Sequence, residues 1–274
     1  KVCRRCKERP VECEDDSGIH GDGSDSAEVY ARSGDDSQPW STDPLDEVAW
    51  GQNPISQIYT IFEGNYLNWY YGPTTTSTRI QVVKDVATNL LNSVNGVNVG
   101  LMRFNRGEGG PVIFAMEDVQ TGRAQLNNVI DSLPASGLTP LSETLYEAGQ
   151  YYAGRNVDYG DVDPTQPSVP ASRMPGNSTM YNSPMEYGCQ KNYIVLLTDG
   201  APNEDTSAND DIVDLPGFGG LVGNVCDGSG DGMCLDDMAD YMHEADLAPG
   251  LPGRQNVTTY TIGFAADLPI LAST

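Results

Sequence analysis

Apolar positions along the chain fall into helix-like, alternating and continuous patterns, and the order of those patterns points to a fold class. Ile80, Val83, Ala87, Leu90 and Val94 recur at 3-4-3-4 spacing, the stripe of an amphipathic helix. Thr78 and Gln81 form a capping-box signature at its start, and Asn95-Gly96 marks its end. Residues 97–104 and 112–116 read as strands, and the short Gly-rich turn over 107–110 makes them an antiparallel hairpin. Leu126, Val129, Ile130 and Leu133 mark a second helix. Leu141, Leu145, Ala148 and Tyr152 mark a third, with Pro140 at its first position. The run Tyr193-Ile194-Val195-Leu196-Leu197 does not alternate, which suits a strand covered on both faces of a mostly parallel sheet. Leu235, Met238, Met242 and Ala245 give a further helix, and residues 257–264 a further strand. Helix, hairpin, helix, helix, strand, helix, strand is the order of an α/β fold, a doubly wound, mostly parallel sheet with one antiparallel edge strand.

Two stretches interrupt that order. Residues 154–190 are rich in Pro, Gly and Tyr and too long for an ordinary connection, so they read as an ordered functional insertion. An acidic insertion covers about 201–234. Residues 1–56 carry no apolar period: Lys1, Arg4, Arg5, Lys7 and Arg9 open them, then acids, Ser and Gly dominate. They read as an irregular, Cys-containing insertion preceding an α/β domain over 57–274. Tyr59, Phe62, Tyr66, Trp69, Tyr70 and Tyr71 crowd one segment, which is either a contact for carbohydrate or protein or a cover over the sheet edge.

Charge and cysteines narrow the function. A net charge of −24 argues against nucleic acid, whose phosphates need Lys and Arg, and against anionic membrane surfaces. No Lys or Arg occurs between Lys191 and Arg254, and acidic, Gly-rich loops of this kind either bind calcium or keep a secreted surface soluble. No signal peptide and no apolar run of membrane-spanning length is present, so no membrane insertion is expected. The 6 cysteines are an even count that reads as disulfides in an oxidising compartment. Cys226 and Cys234 flank a short Gly/Asp loop and are the best local pair; the other pairings stay open. A zinc site is the rival for Cys3-x2-Cys6-x6-Cys13-x6-His20, although that spacing is irregular for a zinc module.

Two loops carry candidate chemistry. The strand ending in Thr198-Asp199-Gly200 places a carboxylate at its carboxyl end, where open α/β sheets hold their ligands. Gly137-Leu138-Thr139-Pro140 places a hydroxyl immediately before a helix. Thr139 and Asp199 would supply hard oxygen ligands suited to Mg, Ca or Mn; the alternative is a helix cap and an ordinary strand-end aspartate. Asp227-x-Ser229-x-Asp231-Gly232 copies the opening of an EF-hand calcium loop, but Met238 stands at the twelfth position, where a bidentate acid belongs. It reads as a disulfide-tied polar loop or a weak second calcium site. No enzyme is expected: His20 and His243 adjoin no nucleophile motif, and Gly107-Glu108-Gly109-Gly110 lacks the lysine and following helix of a phosphate loop. A redox role for Cys3-x2-Cys6 is the enzymatic alternative.

Gly64-Asn65-Tyr66-Leu67-Asn68-Trp69, Thr78-Arg79-Ile80-Gln81-Val82-Val83-Lys84-Asp85-Val86, Gly137-Leu138-Thr139-Pro140-Leu141-Ser142-Glu143-Thr144-Leu145 and Leu196-Leu197-Thr198-Asp199-Gly200 together resemble a von Willebrand factor A domain. The Asn-Tyr-Leu-Asn-Trp segment narrows the resemblance to the type IV pilus tip adhesin (PilY/PilC) family. It implies a metal-ion-dependent adhesion site built by three loops: Asp-x-Ser-x-Ser after the first strand, a threonine before a helix, and an aspartate after a later strand. Thr139 and Asp199 match the second and third. Asp22-Gly23-Ser24-Asp25-Ser26 has the letters of the first, but no buried strand precedes Asp22, Ser24 and Ser26. The resemblance further implies export through the periplasm to the bacterial surface, and a pilus-tip module that contacts minor pilins, or a host or surface ligand, through an acidic group. A purely structural pilus-tip cap, in which the cation only stabilises the fold, is the alternative. The first and last strands of such a domain are expected to lie outside the chain. The residues that precede Lys1 in the precursor should therefore form a buried strand ending in Asp-x-Ser-x-Ser, which the precursor sequence checks; a leader cleavage site immediately before Lys1 would pass that role to Asp22, Ser24 and Ser26.

Overall fold

The computed structural model describes residues 77–264, 271 and 274, all within the second of two units, 1–76 and 77–274, into which the chain divides. Helix α1 (Arg79–Ser93) opens with the Thr78 hydroxyl accepting from the Gln81 amide at 3.3 Å. The reciprocal half of the capping box is not made, because the Gln81 side chain turns instead to Asp85 at 2.8 Å. Strands β1 (Asn98–Met102) and β2 (Val112–Asp118) form the expected antiparallel hairpin, with bulges between Val99 and Met102. Asp118 then caps α2 (Val119–Ser132), accepting from the amides of Gln120 and Thr121. Leu91 of α1 packs with Phe114, Val119, Leu126 and Ile130 in one core, leaving Val86 and Leu90 exposed. The α1 stripe is thus rotated from its sequence reading: Ala87, Leu91 and Val94 face the hairpin and α2, and Leu90 does not.

Helix α3 (Leu141–Ala153) is the centre of the second core, every residue from Leu141 to Tyr152 being buried. Around it lie β5 (Asn192–Thr198), α6 (Leu235–Glu244) and β6 (Val257–Gly263). Leu141, Leu145 and Tyr152 meet Leu196 of β5, Met238, Tyr241 and Met242 of α6, and Val257 of β6 in this core. Residues 154–190 carry the small hairpin β3 (Arg173–Met174) and β4 (Asn177–Tyr181). The acidic insertion carries two short helices, α4 (Asn209–Val213) and α5 (Phe218–Leu221), whose Ile212 and Phe218 are fully buried in the α3 core.

The architecture is mixed α/β, but the described strands do not form one sheet. They pair as β1 with β2, β3 with β4, and β5 with β6. Only β5 and β6 are parallel, in unbroken register from Asn192 opposite Val257 to Thr198 opposite Gly263. Neighbouring tyrosines of α3 tie the first and last pairs to the helix: Tyr151 accepts from the Met116 amide of β2, and Tyr152 donates to the Tyr193 carbonyl of β5. Among the described residues coverage of β5 is one-sided, whereas its uninterrupted apolar run suggests cover on both faces. Asn192, Leu196 and Thr198 are buried against the core, whereas Tyr193 and Val195, with Tyr260 and Ile262 of β6, are exposed. Among the described residues no helix is long and apolar enough to cross a membrane.

Cys226 is bonded to Cys234 across a separation of 8 residues, the pair expected from the sequence, and the bond closes the acidic insertion onto the start of α6. Among the described residues Cys189 is the free cysteine; Cys3, Cys6, Cys13 and His20 lie outside them. Peptide mapping without reduction should recover the 226–234 link. Cutting it with Cys226→Ser and Cys234→Ser should lower unfolding stability by about 2–3 kcal/mol, the loop-closure value for so short a loop; free thiols at both positions in the native protein would contradict the bond.

Candidate functional site

Thr139 and Asp199 come from separate loops that approach each other at one end of the β5–β6 pair. Thr139 is fixed by its backbone: its carbonyl accepts from the amides of Leu141 at 3.0 Å and Asn203 at 3.1 Å, the latter within an isolated antiparallel bridge. The turn before it requires Gly137, which has φ 135°; a Cβ there would stand 2.7 Å from the Asn105 carbonyl oxygen. Asp199 follows β5 directly. Its turn is sharpened by the Thr198 hydroxyl, which accepts from the Gly200 amide and donates to the Gly200 carbonyl. Gly200 is the point of contact between the loops, since its Cβ position would lie 3.9 Å from the Thr139 hydroxyl oxygen.

Both oxygen donors are uncommitted to the fold. Among the described residues the Thr139 hydroxyl makes no hydrogen bond, and the only partner of the Asp199 carboxylate is the Arg79 guanidinium at 3.5 Å. A neutral hydroxyl and a carboxylate on fixed loops, with a guanidinium standing where positive charge is favoured, fit a hard divalent cation. They supply two ligands of a larger set. Asp22, Ser24 and Ser26 lie outside the described residues.

Thr139 does not cap α3. The helix begins at Leu141 after Pro140, and the cap comes from Asp205 in the acidic insertion. Its buried carboxylate accepts from the Ser142 amide and hydroxyl, each at 2.9 Å, and from the Glu143 amide at 3.3 Å. That leaves the Thr139 side chain without a structural task at the helix start.

Two further carboxylates on α3 are fully buried and bind loops in the same way. Glu143 accepts from the amides of Gly109, in the β1–β2 turn, and Ser207, in the acidic insertion. Glu147, one turn on, accepts from the amides of Asp158 and Tyr159 and from the Tyr181 hydroxyl, holding the 154–190 insertion. Burial raises Glu143 to about 6 against its backbone donors, with the Asp205 and Glu108 charges adding to the rise. Burial likewise pushes Glu147 up to about 7, although the Tyr181 hydroxyl and two amides favour its charged form. Asp205 is raised for the same reason, desolvation outweighing its Ser142 and Glu143 donors. No short-range sequence signal exposes this set, because Asp205 acts on Ser142 across 63 residues.

The calcium-like loop closes differently from its letters. Asp231 accepts from the Asp205 amide at 3.0 Å, and so supports the α3 cap rather than turning toward Asp227. Asp227 instead groups with Asp236 and Asp237, their carboxylate oxygens lying within 4.8 Å of one another, and its amide donates to Asp237 at 3.3 Å. Acids in the first turn of α6 also complement the helix dipole, a sufficient structural reason for two of the three. Ser229 is exposed and joins neither group.

The chain matches no known family model, no curated protein and no solved structure.

A carboxyl group raised from 4.5 in the unfolded chain to about 7 at Glu147 binds its proton more tightly when folded. The stability it contributes is therefore full below pH 4.5 and is lost as pH rises through about 7. The unfolding midpoint should fall across that window, by roughly 2–4 kcal/mol in stability at 1.4 kcal/mol per unit of raise. Glu147→Gln keeps one acceptor and turns the other into a donor facing amides, so it should be less stable throughout and should lose the share of the slope that Glu147 contributes near pH 7, while Glu143 and Asp205 keep theirs at lower pH. Thermal unfolding of both proteins between pH 4.5 and 8 measures this; a wild-type midpoint that climbs across the window would refute it.

Proposed function

We propose that this chain forms most of a von Willebrand A-type domain of the type IV pilus tip adhesin family, an extracellular module that grips a partner through a divalent cation. The observation that carries it is the approach of the Thr139 hydroxyl to the Gly200 backbone, next to Asp199, at the end of a parallel strand pair, with neither the Thr139 hydroxyl nor the Asp199 carboxylate hydrogen-bonded in the described fold. Magnesium, manganese or calcium would be held by Thr139, by Asp199 and by an Asp-x-Ser-x-Ser loop outside the described residues. An acidic group from a minor pilin, or from a host or surface ligand, would fill the open coordination position.

The arrangement of strands supports the same architecture. The hairpin and the parallel pair each show two strands, and β5 leaves one apolar face exposed. A buried strand joining β1 to β5, from residues outside those described, would make one doubly wound sheet and give its own carboxyl end to the cation site. The exported location fits the Cys226–Cys234 bond, which an oxidising compartment favours.

Asp199→Ala in the full-length protein should weaken cation binding about tenfold or more and leave the fold intact, because the side chain is exposed and carries no backbone contact. Thr139→Ala should have a smaller effect, removing a neutral oxygen, and should spare α3, whose cap is Asp205. Calorimetric titration with magnesium, manganese and calcium, alongside circular dichroism, reads both. Unchanged cation affinity in Asp199→Ala would remove the metal site. Lost affinity with undiminished attachment to surfaces and pili would leave the cation as a staple in a structural pilus cap.

A further inference from the structure

We infer that Arg79 is a built-in competitor for the cation site: its guanidinium holds the Asp199 carboxylate when no divalent cation is there and must leave it when one binds. The inference rests on the cation site proposed above and concerns how that site is regulated.

Three observations converge on Arg79. Its Nη1 lies 3.5 Å from Asp199 Oδ2, and among the described residues neither side chain has another ion-pair or hydrogen-bond partner. The two side chains are 60% and 55% exposed, so the pair is weak and readily exchanged, unlike the buried carboxylate contacts of α3. Finally, Arg79 is the first residue of α1, whose first turn contains no acid. A positive charge there opposes the helix dipole, so helix formation gives no reason for an arginine at this position. Facing Asp199 does give one.

A divalent cation ligated by Asp199 would stand a few ångströms from a guanidinium left in place, and at that distance like charges repel strongly even near water. The guanidinium therefore has to swing away, and the observed affinity is the intrinsic affinity reduced by the fraction of molecules in which Asp199 is uncovered. With the pair intact, the site stays neutralised and the loop stays held at low cation concentration. With cation abundant, the weak pair yields.

The test uses the full-length protein and the cation alone, manganese followed by calorimetry at low and at high ionic strength. Arg79→Gln should tighten manganese binding about two- to fivefold at low salt, and the gain should shrink at about 0.5 M salt as the charge is screened. Arg79→Lys keeps the charge and should stay near the wild type. Circular dichroism and the unfolding midpoint in chelator should be unchanged or slightly raised in Arg79→Gln, since a neutral residue suits the helix start better. If the wild type binds manganese and Arg79→Gln binds it no more tightly, the competitor role is wrong and the cation site stands. If the wild type binds no manganese at all, both fall.

Discussion

The contact on which the rest of the structure depends is the Asp205 carboxylate set against the start of α3. A helix buried along twelve consecutive residues cannot turn its unpaired first amides to water, so something inside the protein has to accept from them. Asp205 does so through both oxygens, and its own amide is held by Asp231. One carboxylate thereby completes the central helix and fixes the acidic insertion upon it. Glu143 and Glu147 extend the same device down the helix, taking hold of the hairpin turn and the Pro/Gly/Tyr-rich insertion. The long loops of this chain are consequently ordered by buried acids on α3 as well as by apolar contact. Each acid is matched to amide or hydroxyl donors, the condition under which a buried charge is tolerated. Loss of any one carboxylate would leave both a helix end or loop and its donors unsatisfied.

Much of this was legible in the sequence, for reasons that differ from element to element. The helices over Arg79–Ser93, Val119–Ser132, Leu141–Ala153 and Leu235–Glu244 declare themselves by spacing, because each buries one stripe or a whole surface in a core that selects Leu, Ile and Met. The hairpin followed from a short glycine-rich link, and the Cys226–Cys234 bond from proximity along the chain. What spacing could not show is contact between distant segments. Asp205 looked like one more acid in an acidic loop, and Thr139 looked like the natural cap of α3. Proline at 140 shifts the helix start to Leu141, and the amides then point to a residue far along the chain. Leu90 likewise fitted the α1 stripe by number alone, whereas the helix rotates to bury Leu91. The strand at 192–198 read as covered on both faces, yet only its Leu196 side meets the core described here. Thr139 and Asp199 stood out as candidates in the sequence because they lie at the ends of elements, which sequence marks well; the guanidinium that faces Asp199 did not. An arginine at a helix start carries no signal of what it faces.

The division of labour between buried and exposed carboxylates bears on how this chain could hold a cation at all. Its net charge of −24 raises the local concentration of cations everywhere on the surface, which favours binding without choosing a place. Most acids near the loops are excluded as ligands because the fold has already used them: Glu143, Glu147 and Asp205 are saturated with donors, and Asp231 supports the cap. Thr139 and Asp199 stand apart because their backbones are fixed while their side-chain oxygens are not. The Gly137 turn against Asn105, the bridge to Asn203 and the Thr198 turn place those oxygens without consuming them. Such preorganisation lowers the ordering cost that a ligand would otherwise meet. Asp205, Glu143 and Glu147 are thus spent on α3 and its loops, whereas the side-chain oxygens of Thr139 and Asp199 make no hydrogen bond in the described fold.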